Sequence, residues 1–175
     1  MLKILVCVKQ VPDVNLVKID PVTGSLIRKG VPAILNPLDA NALEAAVQVK
    51  ERYGGEITCI TMGPNQAMEA LRECLAAGAD RAVLLSDRAF ANADTLATSY
   101  VIVTAAKVLG EFDLVFCGKE SLDGATGQMG AQLAERFDAS QISSMSRIIG
   151  IDEAAKTVTA ERELERGIEC ARRNI

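Results

Sequence analysis

Asp113-Leu-Val-Phe-Cys117 runs directly into Gly118-Lys-Glu-Ser-Leu-Asp-Gly-Ala-Thr-Gly-Gln-Met-Gly130, and Ala131-Gln-Leu-Ala-Glu-Arg136 follows. The first part has the β-branched and aromatic content of a buried strand, and the last part has the composition of a helix. The middle part is a loop of small residues. A strand, such a loop and a helix in this order are typical of an anion-binding site.

The loop would let a phosphate approach the main chain closely. Gly124, Gly127 and Gly130 have no Cβ. With Ala125 and Thr126, they leave accessible the N–H groups that have no partner at a helix start. The sequence therefore favours a nucleotide site, and the alternative is a tight turn whose glycines serve packing alone.

Two side chains of the loop refine this interpretation. Thr126 can cap the following helix and offer its hydroxyl to a phosphate oxygen. Asp123 would repel a phosphate, so it fits better beside a ribose hydroxyl, a turn N–H or a neighbouring cation. The pattern matches neither G-x-x-x-x-G-K-[ST] nor G-x-G-x-x-G, so neither a P-loop nor a Rossmann fingerprint is present.

The composition indicates a single domain. A chain of 175 residues with 49% hydrophobic residues can build one sizeable core. The 19 Lys and Arg against 23 Asp and Glu give a net charge of -4, which makes duplex nucleic acid a poor partner. No apolar run approaches the ~20 residues of a membrane span and no signal-peptide pattern is present, so we expect a cytoplasmic protein without a membrane span.

Cysteine and histidine usage argues against metal or thiol chemistry. The 5 cysteines show no C-x-x-C spacing and the chain has no histidine, so a zinc site or a Cys-His pair is not expected. Cys7, Cys59 and Cys117 lie in apolar strand runs and are interpreted as small buried residues. No nucleophile and base pair stands out, and no catalytic residue is assigned.

Strands and helices alternate along the chain. Predicted strands cover 3–8, 56–62, 81–86 and 113–117, and predicted helices cover 38–53, 64–77, 95–109 and 131–136. Residues 9–13 are predicted as a loop and 17–28 as an inserted hairpin. This alternation predicts an α/β fold with a doubly wound, mostly parallel sheet.

In a strand order of the 3-2-1-4 type, strands one and four are neighbours, and ligands bind outside their carboxyl ends. The loops after Cys7 and Cys117 then face one crevice, with Asn36 and Met62 as further wall residues. Asn36 either belongs to a turn at a helix start or binds a ligand through its amide. Lys9 is either a phosphate partner or a surface lysine at a strand end.

Five motifs in order resemble one protein family. They are Val6-Cys-Val-Lys-Gln-Val-Pro-Asp13, Asn36-Pro37, Thr61-Met-Gly-Pro64, Ala76-Ala-Gly-Ala-Asp-Arg81 and the loop from Gly118 to Gly130. Together they are similar to the β subunit of electron transfer flavoprotein, in its FixA-like group. The resemblance runs from Met1 to about Glu169, and Glu161-Arg-Glu-Leu-Glu-Arg-Gly-Ile-Glu169 resembles the family's terminal hairpin, expected at about 147–168.

The resemblance implies a fold and a function. The fold is one nucleotide-binding domain over 1–175, of the adenine nucleotide alpha-hydrolase type, with strand order 3-2-1-4-5 in three α/β/α layers. The function is that of an electron carrier subunit and not of an enzyme. In the family, an α subunit carries a redox-active FAD, and the pair moves electrons from flavin dehydrogenases to a quinone-linked acceptor.

The family's β subunit holds AMP or a second FAD in its crevice. The compact loop of this chain favours FAD over AMP, whereas Ala125 stands where FAD-binding members usually have Asp. The candidate cofactor-binding residues, from these matches and from the crevice, are Cys7, Lys9, Asn36, Asp39, Met62, Gly118, Asp123, Gly124, Ala125, Thr126, Gly127, Gln128 and Met129.

The end of the chain departs from the resemblance. Family members are longer, and Cys170-Ala-Arg-Arg-Asn-Ile175 does not resemble the family's apolar strand, so we expect a truncated chain. The arginines near the terminus either face a partner or belong to a solvated tail; they are Arg162, Arg166, Arg172 and Arg173.

Two other classes of protein share this type of sheet. A stand-alone nucleotide-binding module of the universal stress protein type needs G-x2-G-x9-G-[ST], and after Gly127 and Gly130 the third position holds Ser140, followed by Gln141. A pyrophosphatase or ligase needs a Ser-Gly-Gly-type loop after strand one, where this chain has Lys9-Gln-Val-Pro-Asp13. Both patterns are incomplete here.

Overall fold

A computed structural model describes residues 1–13, 16, 18–19, 26–27 and 32–175 of the chain. The strands are β1 (Leu2–Cys7), β2 (Gln10–Pro12), β3 (Lys18–Ile19), β4 (Leu26–Ile27), β5 (Ala33–Leu35), β6 (Gly55–Met62), β7 (Arg81–Leu85), β8 (Leu114–Cys117), β9 (Met145–Asp152), β10 (Thr157–Leu164) and β11 (Gly167–Asn174). The helices are α1 (Pro37–Tyr53), α2 (Met68–Ala76), α3 (Thr95–Leu109) and α4 (Met129–Phe137), with short 3-10 turns at Asn65–Ala67 and Arg88–Phe90.

The central sheet has four parallel strands in the order β7-β6-β1-β8. Counted along the chain, this is the predicted 3-2-1-4 order, and the predicted α/β fold class is confirmed. β1 lies between β6 and β8, and all of its residues except Lys3 are therefore buried, as its continuous apolar sequence predicts. Where β1 and β8 end, Cys7 lies in register with Cys117.

Helices pack on both faces of this sheet. The core under α1 and α2 includes Ile4, Val6, Leu43, Ile57 and Cys74. The core under α3 and α4 includes Leu5, Cys7, Ile60, Ile102 and Leu133. Because successive side chains of a strand point to opposite faces, β1 contributes to both layers.

The chain after α4 forms a second sheet, which is antiparallel and has the order β11-β10-β9. Among the described residues no fifth strand joins the central sheet, so the predicted order 3-2-1-4-5 is corrected to 3-2-1-4. The reason is visible in β9, whose residues are half exposed and lack the continuous buried run of a central parallel strand. The hairpin expected at about 147–168 is extended by β11, which reaches Asn174.

The end of α1 attaches the second sheet to the rest of the domain. The Tyr53 hydroxyl accepts a hydrogen bond from the Ile151 N–H at 3.1 Å, and the Arg52 guanidinium donates to the Ile149 carbonyl at 3.1 Å. Ile148 and Ile151 also pack against the core under α1. β9 is therefore held to the domain by both polar and apolar contacts.

Several local boundaries differ from the prediction. Residues 9–13 were expected to be a loop, but Gln10–Pro12 form β2, which pairs antiparallel with β5, and Val11 of this strand is buried. A pattern of three residues is too short to predict such a strand. The expected helix 64–77 begins with a 3-10 turn, and α4 begins at Met129 instead of 131.

The inserted hairpin expected over 17–28 is described only in part. β3 pairs antiparallel with β4, with Lys18 opposite Ile27. Residues 17, 20–25 and 28 lie outside the described residues. No helix in the described part of the chain has the length and apolar character needed to cross a membrane.

Candidate functional site

Asp39 connects the ends of the two neighbouring strands at the switch point. It lies in the first turn of α1 and is only 7% exposed. Its Oδ2 accepts a hydrogen bond from the Lys9 N–H at 2.9 Å, just after β1, and its Oδ1 accepts one from the Gly118 N–H at 3.0 Å, just after β8. One carboxylate thus holds both strand exits against the start of a helix.

Gly118 is required by this close approach. A Cβ at this position would lie 2.7 Å from the carbonyl carbon of Leu38 and 2.9 Å from the backbone nitrogen of Asp39, and it would collide with the Asp39 carboxylate. Any other residue would push α1 away from β8. The glycine after the strand therefore allows the close approach of the helix start, and a direct contact of Gly118 with a ligand stays a prediction.

Burial changes the acidity of Asp39. Loss of hydration raises the pKa of its carboxyl to about 6, and this effect outweighs the hydrogen bonds from Asn36, Lys9 and Gly118 and the charge of Lys9, all of which lower the pKa. Asp39 is therefore a carboxyl group that titrates closer to neutrality than an exposed aspartate does.

Asn36 fixes the first half of the loop. It is fully buried, and its Nδ2 donates to the Glu120 carbonyl at 2.9 Å while its Oδ1 accepts from the Leu122 N–H at 3.3 Å. It precedes α1 as expected, but its side chain does not cap that helix. Direct binding of a ligand by Asn36 stays a prediction, and the contacts in the structure make it a support for the loop.

Lys9 and Asp123 form an ion pair across the crevice. The Lys9 ammonium lies 2.7 Å and 2.9 Å from the two carboxylate oxygens of Asp123 and 3.4 Å from the Ser121 hydroxyl. Partial burial raises the pKa of Asp123, but the hydrogen bonds from Lys9 and Ser121 and the charge of Lys9 hold the pKa below its usual value. Of the three partners expected for Asp123, the neighbouring cation is the one in contact.

Most loop N–H groups beyond Asp123 have no partner in the described part of the chain. The Ala125 N–H donates to the Ser121 carbonyl at 2.8 Å and closes a turn. The backbone hydrogen bonds of the described residues do not engage the N–H groups of Gly124, Thr126, Gly127, Gln128 and Met129. We call these five N–H groups the amide cluster. The residues of the amide cluster are exposed except for Met129, which is half-buried, so the loop lies at the surface.

The backbone of the loop turns at two left-handed positions. Ala125 has φ 46° and Gly127 has φ 63°. Only glycine adopts this conformation without strain, and a Cβ at Gly127 would meet only the Lys119 carbonyl, at 3.9 Å. The positive φ therefore accounts for a glycine at position 127, and its role in the approach of a phosphate stays a prediction.

The predicted capping role of Thr126 is wrong. α4 begins at Met129, and Gln128 occupies the capping position without a side-chain cap. The side chain of Gln128 is engaged elsewhere, because its Oε1 accepts from the Thr95 hydroxyl at 2.8 Å. Thr95, at the start of α3, was not singled out in the sequence; a helix start was predicted there, but its meeting with α4 could not be.

The remaining predicted residues form the floor beneath the loop. Cys7 is buried, and burial, together with nearby Cys117 and Asp39, raises the pKa of its thiol. Met62 ends β6, the strand next to β1, and packs against the same core layer as Cys7. Cys7 and Met62 therefore pack in the core layer at the strand ends.

Two open depressions lie on α4 and away from this floor. One, of about 420 Å³, is lined by Leu96, Ala131, Gln132, Glu135 and Arg136. The other, of about 260 Å³, lies at the end of the same helix. Neither includes a predicted site residue, so the candidate site is an exposed loop over joined strand ends and not an enclosed cavity.

A doubly wound sheet with exposed N–H groups at its switch point places the chain in the class of α/β proteins that bind ligands outside the strand ends. Residues 23–173 match the family model described as "Electron transfer flavoprotein domain", and the chain belongs to this family.

The similar proteins include FixA proteins and β subunits. Protein FixA of Bradyrhizobium diazoefficiens is 47% identical over 169 residues, which are 94% of this chain and 59% of that protein. Electron transfer flavoprotein subunit beta of Thermoanaerobacterium thermosaccharolyticum is 50% identical over 96% of this chain and 63% of its own length. "Caffeyl-CoA reductase-Etf complex subunit CarD" of Acetobacterium woodii is 52% identical over 96% of this chain and 63% of that protein. The chain thus spans about three fifths of the length of the curated relatives it matches.

Below the folded pKa of Asp39, at about pH 4–5, we expect Asp39→Asn to destabilise the fold by about 1–3 kcal/mol, because both oxygens of a carboxyl can accept a backbone hydrogen bond whereas an amide accepts only one and faces the other N–H with a donor. Urea denaturation of both chains measures this difference. Asp113→Asn is the matched control, since Asp113 accepts one N–H, from Lys3 at 2.7 Å, which an amide oxygen can still accept. An Asp39→Asn chain as stable as the control would contradict the role of the carboxylate.

The raised pKa of Asp39 predicts a pH dependence of stability. With a folded pKa of about 6 and an unfolded value near ~3.9, the folded chain binds more protons than the unfolded chain between these pH values. The contribution of Asp39 to the free energy of unfolding therefore falls as pH rises from about 4 to 6, by up to about 3 kcal/mol.

Two measurements check this expectation. Carboxyl ¹³C shifts should show Asp39 titrating near pH 6. Denaturation across the same range should show a slope in the natural chain that Asp39→Asn lacks. A titration midpoint at or below the ordinary aspartate value would show that the accepted hydrogen bonds outweigh burial.

Proposed function

We propose that the chain is the nucleotide-binding part of an electron transfer flavoprotein β subunit, with AMP or FAD bound at the amide cluster. The proposal extends to an electron transfer flavoprotein α subunit as partner. Together the subunits would move electrons from flavin dehydrogenases to an acceptor, in the cytoplasm. In this role the chain is an electron carrier subunit and not an enzyme.

The amide cluster is the observation that carries the proposal. N–H groups at a helix start attract anions, because they have no partner within the helix and the helix dipole is positive there. In this chain the amide cluster follows β8 at the switch point of the sheet, where α/β proteins bind ligands, and two of its members, Gln128 and Met129, lie at the start of α4. Gly127 leaves the approach free of side chains.

The residues present fit the phosphate portion of an adenine nucleotide. The amide cluster can donate hydrogen bonds to phosphate oxygens, and Asp39 and Asn36 hold the loop in place from below. If FAD is the ligand, its isoalloxazine ring supplies the redox chemistry, and the chain binds and orients it. The names of the relatives, FixA and subunit beta, support the electron-carrier role and the heterodimer.

The loop after β8 also bears on whether the ligand is AMP or FAD. A compact loop of the FixA-like type favours FAD, and the 47% identity to a FixA protein agrees with that group. Ala125, at φ 46°, lacks the carboxylate that FAD-binding members usually have there, as the resemblance implies. We retain FAD as the favoured ligand and AMP as the alternative.

Gly127→Val should weaken nucleotide binding, because a branched side chain would obstruct the approach of a phosphate to the amide cluster. The expected loss of affinity for AMP or FAD is about tenfold or more. Thermal unfolding with AMP, ADP, NAD and FAD measures binding as a rise in the melting temperature.

Gly54→Val is the matched control for backbone strain. Gly54 has φ 75° and open space around its Cβ position, and it lies at the end of α1, away from the loop. Both variants should lose about 1–2 kcal/mol of stability from the left-handed backbone, and only Gly127→Val should lose binding. A natural chain without any thermal shift, or equal binding by both variants, would contradict the proposed site.

A further inference from the structure

Lys9 lies where the proposed phosphate site and the first strand meet. Its backbone N–H is held by Asp39, and its ammonium reaches across the crevice to Asp123 and Ser121. Asp123 directly precedes Gly124, the first residue of the amide cluster. The ammonium therefore lies at the edge of the surface that would receive a phosphate.

The Lys9 ammonium can exchange the Asp123 carboxylate for another anionic partner. The two side chains are 48% and 32% exposed, and a pair so open to water stabilises a fold little. The carboxylate of Asp123 and a phosphate at the amide cluster carry charge of the same sign, so both compete for the same cation. A phosphate, which has more charge and more acceptor oxygens than a carboxylate, is the stronger partner for the ammonium.

We propose that Lys9 makes the site select phosphorylated nucleotides over uncharged nucleosides, by exchanging the Asp123 carboxylate for the phosphate of the ligand. Asp123 holds the ammonium in place before the ligand arrives and limits the affinity afterwards. This inference rests on the proposed nucleotide site and adds to it the residue that reads the phosphate charge.

If the Lys9–Asp123 ion pair is a purely structural clasp that only holds the loop, the opposite result is expected for one variant. If the ion pair only holds the loop, removing either partner loosens the amide cluster and weakens binding. If Lys9 is exchanged, removing the charge of Asp123 frees the cation and removes a repulsion, so binding tightens. The sign of the Asp123→Asn effect separates the two roles.

The experiment measures the affinities of AMP and adenosine for the full chain by calorimetry at low salt. The variants are Lys9→Met, Asp123→Asn, the double variant and Lys119→Met. Lys119 is the matched control, because it is exposed in the same loop and forms no ion pair within the described residues. Its replacement changes the net charge by the same amount as Lys9→Met.

We expect Lys9→Met to weaken AMP binding about five- to tenfold and to leave adenosine within about twofold. Asp123→Asn should tighten AMP binding about two- to fivefold, and the double variant should bind AMP more tightly than Lys9→Met alone but less tightly than Asp123→Asn alone, because it lacks both the repelling carboxylate and the attracting ammonium. Lys119→Met should change AMP binding by less than about twofold, since its exposed ammonium is screened by solvent and is not held beside the amide cluster by an ion pair within the described residues.

Three outcomes would overturn the inference. Weaker AMP binding by Asp123→Asn would show that the ion pair only holds the loop in place. Equal losses of affinity for AMP and adenosine in Lys9→Met would show that Lys9 does not select for the phosphate. An effect of Lys119→Met as large as that of Lys9→Met would show that the net charge of the chain, and not the position of Lys9, determines the affinity for AMP. Absence of nucleotide binding by the natural chain is a separate outcome that contradicts the proposed function and the exchange together.

Discussion

A single buried carboxylate joins the parts of this domain on which a ligand site depends. Asp39 accepts hydrogen bonds from the Lys9 N–H, two residues after the end of β1, and from the Gly118 N–H, directly after β8, and it does so from the first turn of α1. The strand order places these two exits side by side, and the absent side chain of Gly118 lets the helix approach them. The loop after β8 therefore starts from a fixed point, and Asn36 fixes its next residues from the same helix start.

Much of this architecture could be predicted from the sequence. The continuous apolar run of β1 predicted a central strand, and the alternation of elements predicted a doubly wound, mostly parallel sheet. α3 was predicted with its observed bounds, Thr95–Leu109, and the structure shows Asp94 and Gly110 at the two capping positions. These features depend on local composition and periodicity, which a sequence displays directly.

The contacts that organise the site could not be predicted in the same way. Asp39 bonds residues 30 and 79 positions away, and Thr95 meets Gln128 across 33 positions. Such contacts follow from the packing of strands and helices and leave no periodic trace. The capping role of Thr126 was wrong because α4 begins at Met129, which places Gln128 and not Thr126 at the capping position. No fifth strand joins the central sheet among the described residues, because the chain after α4 forms the separate sheet of β9, β10 and β11.

The central claim is that the amide cluster behind β8 receives a phosphate. The most direct test is a ¹H-¹⁵N titration of the chain with AMP, in which each backbone N–H is observed separately. The account predicts that the N–H signals of Gly124, Thr126, Gly127, Gln128 and Met129 move downfield together and saturate with one affinity. Signals that stay in place in this loop, while others on the chain respond to AMP, would contradict it.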